Sequence, residues 1–381
     1  KMSEVKQIYT IVNEAAKQAW GESALAAIDT ASFISLGDKV LSSTTDTDVF
    51  LNALVDRIGR TVFSMRKYSR NRNTMAREPF EYGCILQKIT VEPPEAKENN
   101  SWEIGDVAYT PTYAPVIKSN VKQKLFNKVS TWEIDVTIPD YQLRTAFTSE
   151  TEMAVLIDAI FTSMDNRMEQ ALESCGDLTR ANFIARKIKS AKPCGAINLL
   201  HNYNTLTNQT LTVDAALMNK EFLRYAIGQI NLWIPRMAKI STLFNEEGFH
   251  RFTPDDRLVV NILNDFVEQV KTVLQSDTWH DELVKLPLYE SVPYWQGTGT
   301  DYAFSSTSAI NVKIDDTTTV EESGIIGVFY DYDAMGTSIV ERRSSSERNN
   351  KDEYTDYYNK ANMGYFNDMS ENGIVFYMKE V

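Results

Sequence analysis

The stretch 148–190, TSETEMAVLIDAIFTSMDNRMEQALESCGDLTRANFIARKIKS, decides how the rest of the chain is read. Ser149 and Glu152 have the spacing of a capping box, in which the serine hydroxyl accepts from one backbone N–H and the glutamate returns to another. Behind the cap, Met153, Leu156, Ile157, Ile160, Phe161, Met164, Met168, Ala171, Leu172 and Cys175 recur at helical spacing. Asp158, Thr162, Asp165, Asn166, Glu169, Gln170 and Glu173 fill the opposite face. At about 1.5 Å per residue, 149–173 makes a rod of roughly 37 Å, and 177–190 extends it past Gly176. Ordinary globular helices run about 8–20 residues. A rod this long, apolar on one side and flanked by strand-like sequence, reads as a spine.

Toward the N-terminus, residues 3–20 place Val5, Ile8, Tyr9, Val12, Ala15, Ala16 and Trp20 on one helical face. Small residues dominate 24–47, and the run SSTTDTD (42–48) reads as extended or mobile. The expectation for 1–47 is an arm that cannot bury itself and finds its partner elsewhere on the fold or on a neighbouring molecule. Asp48 can cap the helix VFLNALVDRIGRTVFS, with Phe50, Leu51, Leu54, Val55 and Ile58 at the expected offsets. Cations then cluster at Arg57, Arg60, Arg66, Lys67, Arg70, Arg72 and Arg77 in an otherwise acidic chain. They form either a solvated turn or a set of donors for an acidic neighbouring surface.

Between that cluster and the spine, FEYGCILQKITV (80–91) is strand-like, followed by a polar tip, EPPEAKENNSWEIGD (92–106). Residues 109–118 are again extended, 121–130 intervene, and TWEIDVTI (131–138) alternates, with Trp132, Ile134, Val136 and Ile138 on one face. Long arms with a polar tip predict a protruding β-hairpin. A two-stranded ribbon is marginal alone in water, so this one is expected to lie against another subunit. Beyond the spine, 219–234 reads as a helix stopped by Pro235. RLVVNIL (257–263) reads as a buried strand, NDFVEQVKTVLQ as a striped helix, and AINVKID (309–315) and GIIGVFYDYD (324–333) as strands. This mixture predicts an α/β lobe over 191–330. The last fifty residues return to strands rich in Tyr354, Tyr357, Tyr358, Tyr365, Phe366, Phe376 and Tyr377. The spine's apolar face is the surface expected to receive them, leaving Asp158, Asp165, Glu169 and Glu173 toward a lumen or a neighbour.

Composition narrows the function. With 381 residues, 43% of them hydrophobic, the chain can bury a sizeable core. A net charge of −13 argues against a general nucleic-acid binder, which needs a basic footprint. Cys84, Cys175 and Cys194 are odd in number and far apart, so neither a disulfide framework nor a zinc ribbon is expected, and a reducing cytosol suits them. No stretch approaches 18 apolar residues, and KMSEVKQIY lacks a signal-peptide core. Catalytic signatures are missing too. His201, His250 and His280 show no HExxH spacing, and GxxxxGK[ST], GxGxxG and GxSxG do not occur. WQGTGTD (295–301) reads as a surface turn. Asp315 with Asp316, and Asp331 with Asp333, are the carboxylate pairs that chance supplies among 52 acidic residues. No catalytic, cofactor or metal site is expected. Sequence is spent instead on an arm, a hairpin and a basic cluster, which predicts a self-assembling structural protein.

In that order of parts the chain resembles the major capsid proteins of tailed phages, with the Hong Kong 97 (HK97)-like fold, and especially the phi-twenty-nine type of small short-tailed phages. The residues that carry the likeness are DVFLNALVDRIGRTVF (48–63), NVKQKLFNKVSTWEIDVTIPDYQLRTAF (120–147), RLVVNIL (257–263), and TDYYNKANMGYF with NGIVFYM within 355–378. The resemblance implies an α+β HK97-like fold divided into an N-terminal arm (1–47), an extended β-hairpin or E-loop (74–130), a peripheral domain with the spine helix (48–73, 131–190, 331–381) and a mixed α/β axial domain (191–330). The chain leaves no room for the extra C-terminal immunoglobulin-like domain of some members. The implied function is a self-assembling icosahedral or prolate shell around phage DNA. The implied partners are copies of the chain in hexamers and pentamers, scaffolding, portal and minor capsid proteins, and double-stranded DNA held without sequence specificity, with no membrane and no cofactor. The implied location is the virion, after assembly in the host bacterial cytoplasm. Arg57, Arg60, Arg66, Lys67, Arg70, Arg72 and Arg77 become candidate contacts between subunits. Some members join a lysine of the extended loop to a neighbour's asparagine; Lys97 lies near the tip, and no sequence signal marks it for that reaction. An encapsulin-type compartment shares the fold and is the alternative, and a cytosolic enzyme using acidic residues is a more distant one.

Overall fold

A computed structural model describes residues 2–21, 30–40, 49–50, 53, 86–94, 96, 120–127, 129–139, 150–190, 192, 194–275, 289–296 and 307–380. The chain folds as two compact units. One comprises Lys1–Glu81, Val129–Cys175 and Ser338–Gly364, the other Tyr82–Lys128, Gly176–Thr337 and Tyr365–Val381.

The first unit begins with helices α1 (Met2–Trp20) and α2 (Thr30–Val40). Val12, Ala15 and Ala16 of α1 and Phe33, Leu36 and Val40 of α2 are fully buried, as is Phe50. Trp20 stacks on Phe50 at 5.7 Å, with Lys39 Nζ 4.9 Å from the Trp20 ring. Both helices thus bury apolar residues, and Trp20 finds its partner in Phe50, beyond residue 47. Phe33, Leu36 and Val40 fall at i, i+3 and i+7, a helical face concealed in the sequence by the small polar residues around it.

A three-stranded sheet completes that unit, ordered β10 (Met335–Asn349), β11 (Tyr354–Asn367), β3 (Val129–Pro139). The alternating stretch 131–138 thus pairs with the C-terminal region and is not an arm of the hairpin. Ile134 lies opposite Asn359, Val136 opposite Tyr357 and Ile138 opposite Thr355. On the other face, Lys360 pairs with Glu133 at 3.0 Å and Thr131 donates to Asn362 at 2.9 Å. These polar ladder pairs hold the register, because a one-residue slip would put them on the core side.

The spine is one continuous helix, α3 (Glu150–Lys189), which passes Gly176 unbroken. Ser149 of the expected capping box lies outside the described residues. Within the first unit Met164, Met168 and Cys175 are buried as the periodicity requires. Glu169, one of the acidic residues expected toward a lumen or a neighbour, pairs with Arg342 of β10 at 3.3 Å. Within the second unit α3 buries Ala181, Phe183, Ile184 and Ala185, and Asn367 Nδ2 donates to the Thr179 carbonyl.

The second unit is built on a five-stranded mixed sheet of β4 (Ala196–Asn198), β5 (Leu258–Leu263), β6 (Glu290–Val292), β9 (Ile325–Asp331) and β12 (Gly373–Tyr377), in the order β4-β12-β9-β5-β6. All seven residues of β9 are buried, which explains its unbroken apolar run. Helices α4 (Leu199–Thr207), α6 (Lys220–Ala238) and α7 (Asn264–Gln275) supply Leu200, Phe222, Ile227 and Phe266 to a core shared with Phe329 and Phe376. Between α4 and α6 lies the short α5 (Val213–Leu217). Asn219 caps α6 by accepting from the N–H groups of Glu221 and Phe222. Pro235 does not stop that helix, which continues to Ala238. The lost bond falls in the last turn, and the fully buried Met237 holds that turn in place.

Candidate assembly element

The hairpin region of this same unit forms a two-stranded ribbon, β1 (Leu86–Val91) with β2 (Val121–Phe126). Its register sets Lys88 opposite Lys124, Thr90 opposite Lys122 and Leu86 opposite Phe126. Side chains alternate across a strand with period two, so this set shares one face. Gln87, Ile89, Val91, Val121, Gln123 and Leu125 share the other.

The polarity of the two faces is the reverse of what burial by hydrophobicity would give. The face carrying the lysines is turned onto its own unit, and Thr90 is buried there. Lys88 Nζ lies 2.8 Å from Asp368 Oδ2 and 2.6 Å from Glu371 Oε1, and it donates to the Asp333 carbonyl at 3.3 Å. Lys124 Nζ lies 2.9 Å from Asp368 Oδ1 and also pairs with Glu247. Arg251 reaches Glu371 at 3.1 Å and donates to Thr90 Oγ1 at 2.8 Å. Lys122 Nζ sits 4.1 Å from the Phe249 ring, and Phe126 meets Phe366 at 5.5 Å. The opposite face carries four aliphatic side chains, each more than half exposed: Ile89 (60%), Val91 (57%), Val121 (56%) and Leu125 (59%).

Electrostatics explain how the charged face is tolerated. The Asp368 side chain is fully buried, and burial alone would push its carboxyl up. The Lys88 charge and the hydrogen bonds from Lys124, Lys88 and Ser370 overcome that, holding it well below the usual carboxylate range. Burial of Lys124 works to lower its pKa, but its bonds to Asp368 and Glu247 outweigh burial and raise it. Glu371 goes the other way: burial pushes it up against the opposing charges of Lys88 and Arg251. Asp368 is fixed further by the turn it caps, accepting from the N–H and hydroxyl of Ser370 while its own N–H donates to the Ala334 carbonyl.

Arg57, Arg60, Arg66, Lys67, Arg70, Arg72, Arg77 and Lys97, the residues singled out from the sequence, lie outside the described residues. So do Cys84, His280, the segment 109–118 and the glycines of WQGTGTD. His201 and His250 are exposed. Asp331 accepts from Thr253 Oγ1 at 2.9 Å and pairs with Arg257, which also pairs with Asp333. Asp315 accepts from the N–H groups of Thr317 and Thr318 in the turn between β7 (Ile310–Lys313) and β8 (Thr319–Glu322), which brings its pKa down to about 2. Both carboxylate pairs thus serve the backbone and its ion pairs. Among the described residues no cluster of His, Cys, Asp or Glu could hold a metal ion, and no helix is long and apolar enough to cross a membrane. The anchoring residues Lys88, Lys124, Arg251, Asp368 and Glu371 were not singled out by sequence reasoning. Their only local sign is the period-two spacing of Lys122 and Lys124 in VKQKLF, which does not say which face is inward.

The family model described as Phi29-like phage major capsid protein matches residues 8–377. Among solved structures, a chain in the structure of head fiber and inner core protein gp22 of native bacteriophage P68 is similar, with a TM-score of 0.54 at 8% identity over 81% of this chain and 84% of that one. A chain in the capsid structure of Staphylococcus phage Andhra is similar with a TM-score of 0.52 at 9% identity, over 82% and 84%. No curated protein matches.

Proposed function

The chain belongs to the family of Phi29-like phage major capsid proteins, and from that premise we propose that the β1–β2 ribbon is a seat for a neighbouring copy in the shell. The protein has the α+β HK97-like fold and is a shell-forming capsid protein, a component of the virion. Copies gather as hexamers and pentamers into an icosahedral or prolate shell, with the axial lobe 191–330 at the five- and six-fold positions. The arm 1–47, the loop 74–130 and the peripheral parts 48–73, 131–190 and 331–381 clamp neighbours. Scaffolding, portal and minor capsid proteins take part, assembly occurs in the host bacterial cytoplasm, and the chain has no catalytic activity of its own. Double-stranded DNA lies inside. A net charge of −13 suits that role, because a basic lining would bind DNA through counterion release and resist its movement.

The observation that carries the contact is the outward stripe Ile89, Val91, Val121 and Leu125. Four aliphatic side chains in water on a marginal two-stranded ribbon are unfavourable, and covering them contributes on the order of 1 kcal/mol each. Repeated around a shell, that contribution favours assembly while leaving each contact weak enough to correct. The double variant Ile89→Asp with Leu125→Asp tests it in the full chain by sedimentation and electron microscopy. Wild-type protein should give capsomers or shells, and the variant smaller species with unchanged circular dichroism. Normal shells from the variant would overturn the contact.

A further inference from the structure

We propose that the β1–β2 ribbon is a detachable arm, held on its own unit by an ionic latch and turning about an aromatic foot. The latch is a pair of facing lysines closed on one turn of the chain. Lys88 and Lys124 are register partners, and both reach Asp368, at 2.8 and 2.9 Å through its two carboxylate oxygens. Glu371, three residues on, takes Lys88 at 2.6 Å and Arg251 at 3.1 Å, and Glu247 takes Lys124. Around the latch, the groups facing it are cations from the ribbon and from 251, and carboxylates from 247 and 368–371. The aliphatic side chains Ile89, Val91, Val121 and Leu125 contribute nothing to this seat, because all four point outward. At the foot, Phe126 rests against Phe366, a contact without charge.

These two kinds of attachment answer differently to perturbation. Ion pairs are directional and depend on both partners being charged, so neutralising the lysines removes the pull and leaves Asp368 buried without its counter-charges. The aromatic foot keeps its contact, so the ribbon swings there and stays attached. The carboxylate turn stays folded meanwhile, because Ser370 and the Ala334 carbonyl hold Asp368 independently of the ribbon. The ribbon can therefore change its angle while the five-stranded sheet stays intact. This stands on the geometry of one chain and goes beyond the shell reading, so it is testable on unassembled protein.

Hydrogen–deuterium exchange on the full chain, kept unassembled, separates the alternatives. A released two-stranded ribbon frays, since it is marginal alone, and its amides lose protection. Lys88→Met with Lys124→Met keeps the aliphatic stems and removes the charge. Amides of 86–91 and 121–126 should then exchange at least tenfold faster, with those of 325–331 and 373–377 unchanged. Ile89→Ser with Leu125→Ser, on the outward face, should leave the ribbon's protection within about twofold of wild type. The proposal is overturned if the lysine variant leaves ribbon exchange unchanged. It is equally overturned if the outward variant releases the ribbon as much, or if the sheet loses protection together with it.

Discussion

Lys187 shows how the interior of the second unit disposes of a charge. Its side chain is almost wholly buried, its Nζ donates to the Phe244 carbonyl at 2.7 Å, and it lies 5.3 Å from the Phe183 ring. Burial lowers its pKa from 10.5 to about 8, against the opposing pull of Glu246 and Asp368. In the unfolded chain the amine keeps its proton to about 10.5, so between pH 8 and 10.5 the unfolded state binds more protons than the folded one. Stability contributed by this group therefore rises with pH across that window and is lowest below pH 8, where the charged amine stays buried. Urea unfolding of wild type and Lys187→Met at pH 7.5, 9 and 10.5 checks the sign. Wild type should gain on the variant as pH rises, and a flat difference would mean that Lys187 does not titrate in the folded protein.

Between elements, a tight constraint lies where α3 crosses the start of β12. Gly373 N–H donates to the Phe244 carbonyl at 3.0 Å. A Cβ at this position would stand 2.4 Å from Phe183 Cζ and 3.3 Å from Lys187 Cε. Helix and strand approach so closely because the glycine has no side chain. Gly373→Ala should cost about 1–3 kcal/mol by forcing the ring from its seat, read as a fall in the denaturation midpoint. Adding Phe183→Leu should recover part of that loss, since the shortened side chain vacates the clash. A neutral Gly373→Ala would show the ring free to yield. The ribbon is the opposite case, an element seated by charge with its apolar face outward.

For the whole molecule, the question is how an acidic chain associates with copies of itself. Like net charge opposes assembly, so contacts need local basic surfaces, and the densest basic run is 57–77. We propose that Arg66, Lys67, Arg70 and Arg72 meet acidic groups of an adjacent copy. Arg66→Glu with Arg70→Glu should then reduce shell yield at least tenfold while leaving circular dichroism and the thermal midpoint of the unassembled protein unchanged. Normal shells from that variant would show the cluster to be merely solvated.

By itself the sequence determined the long spine helix, the buried strands β5 and β9, the striped helix α7 and the family. These are local periodicities, and apolar residues at 3.6 or unbroken over a strand carry their own reading. The sense of each face was decided only in three dimensions. Lys88, Lys124, Asp368 and Glu371 are separated by up to 283 residues, and no window of sequence shows that the lysines turn inward and the aliphatics outward. The same holds for 131–138, whose alternation fixes a strand but not its partner β11, and for Phe33, Leu36 and Val40, whose burial depends on the neighbours they meet. Pairing and burial are long-range free energies, set by which surfaces the folded chain brings together, and so the ribbon's charged seat and exposed apolar stripe belong to the tertiary structure alone.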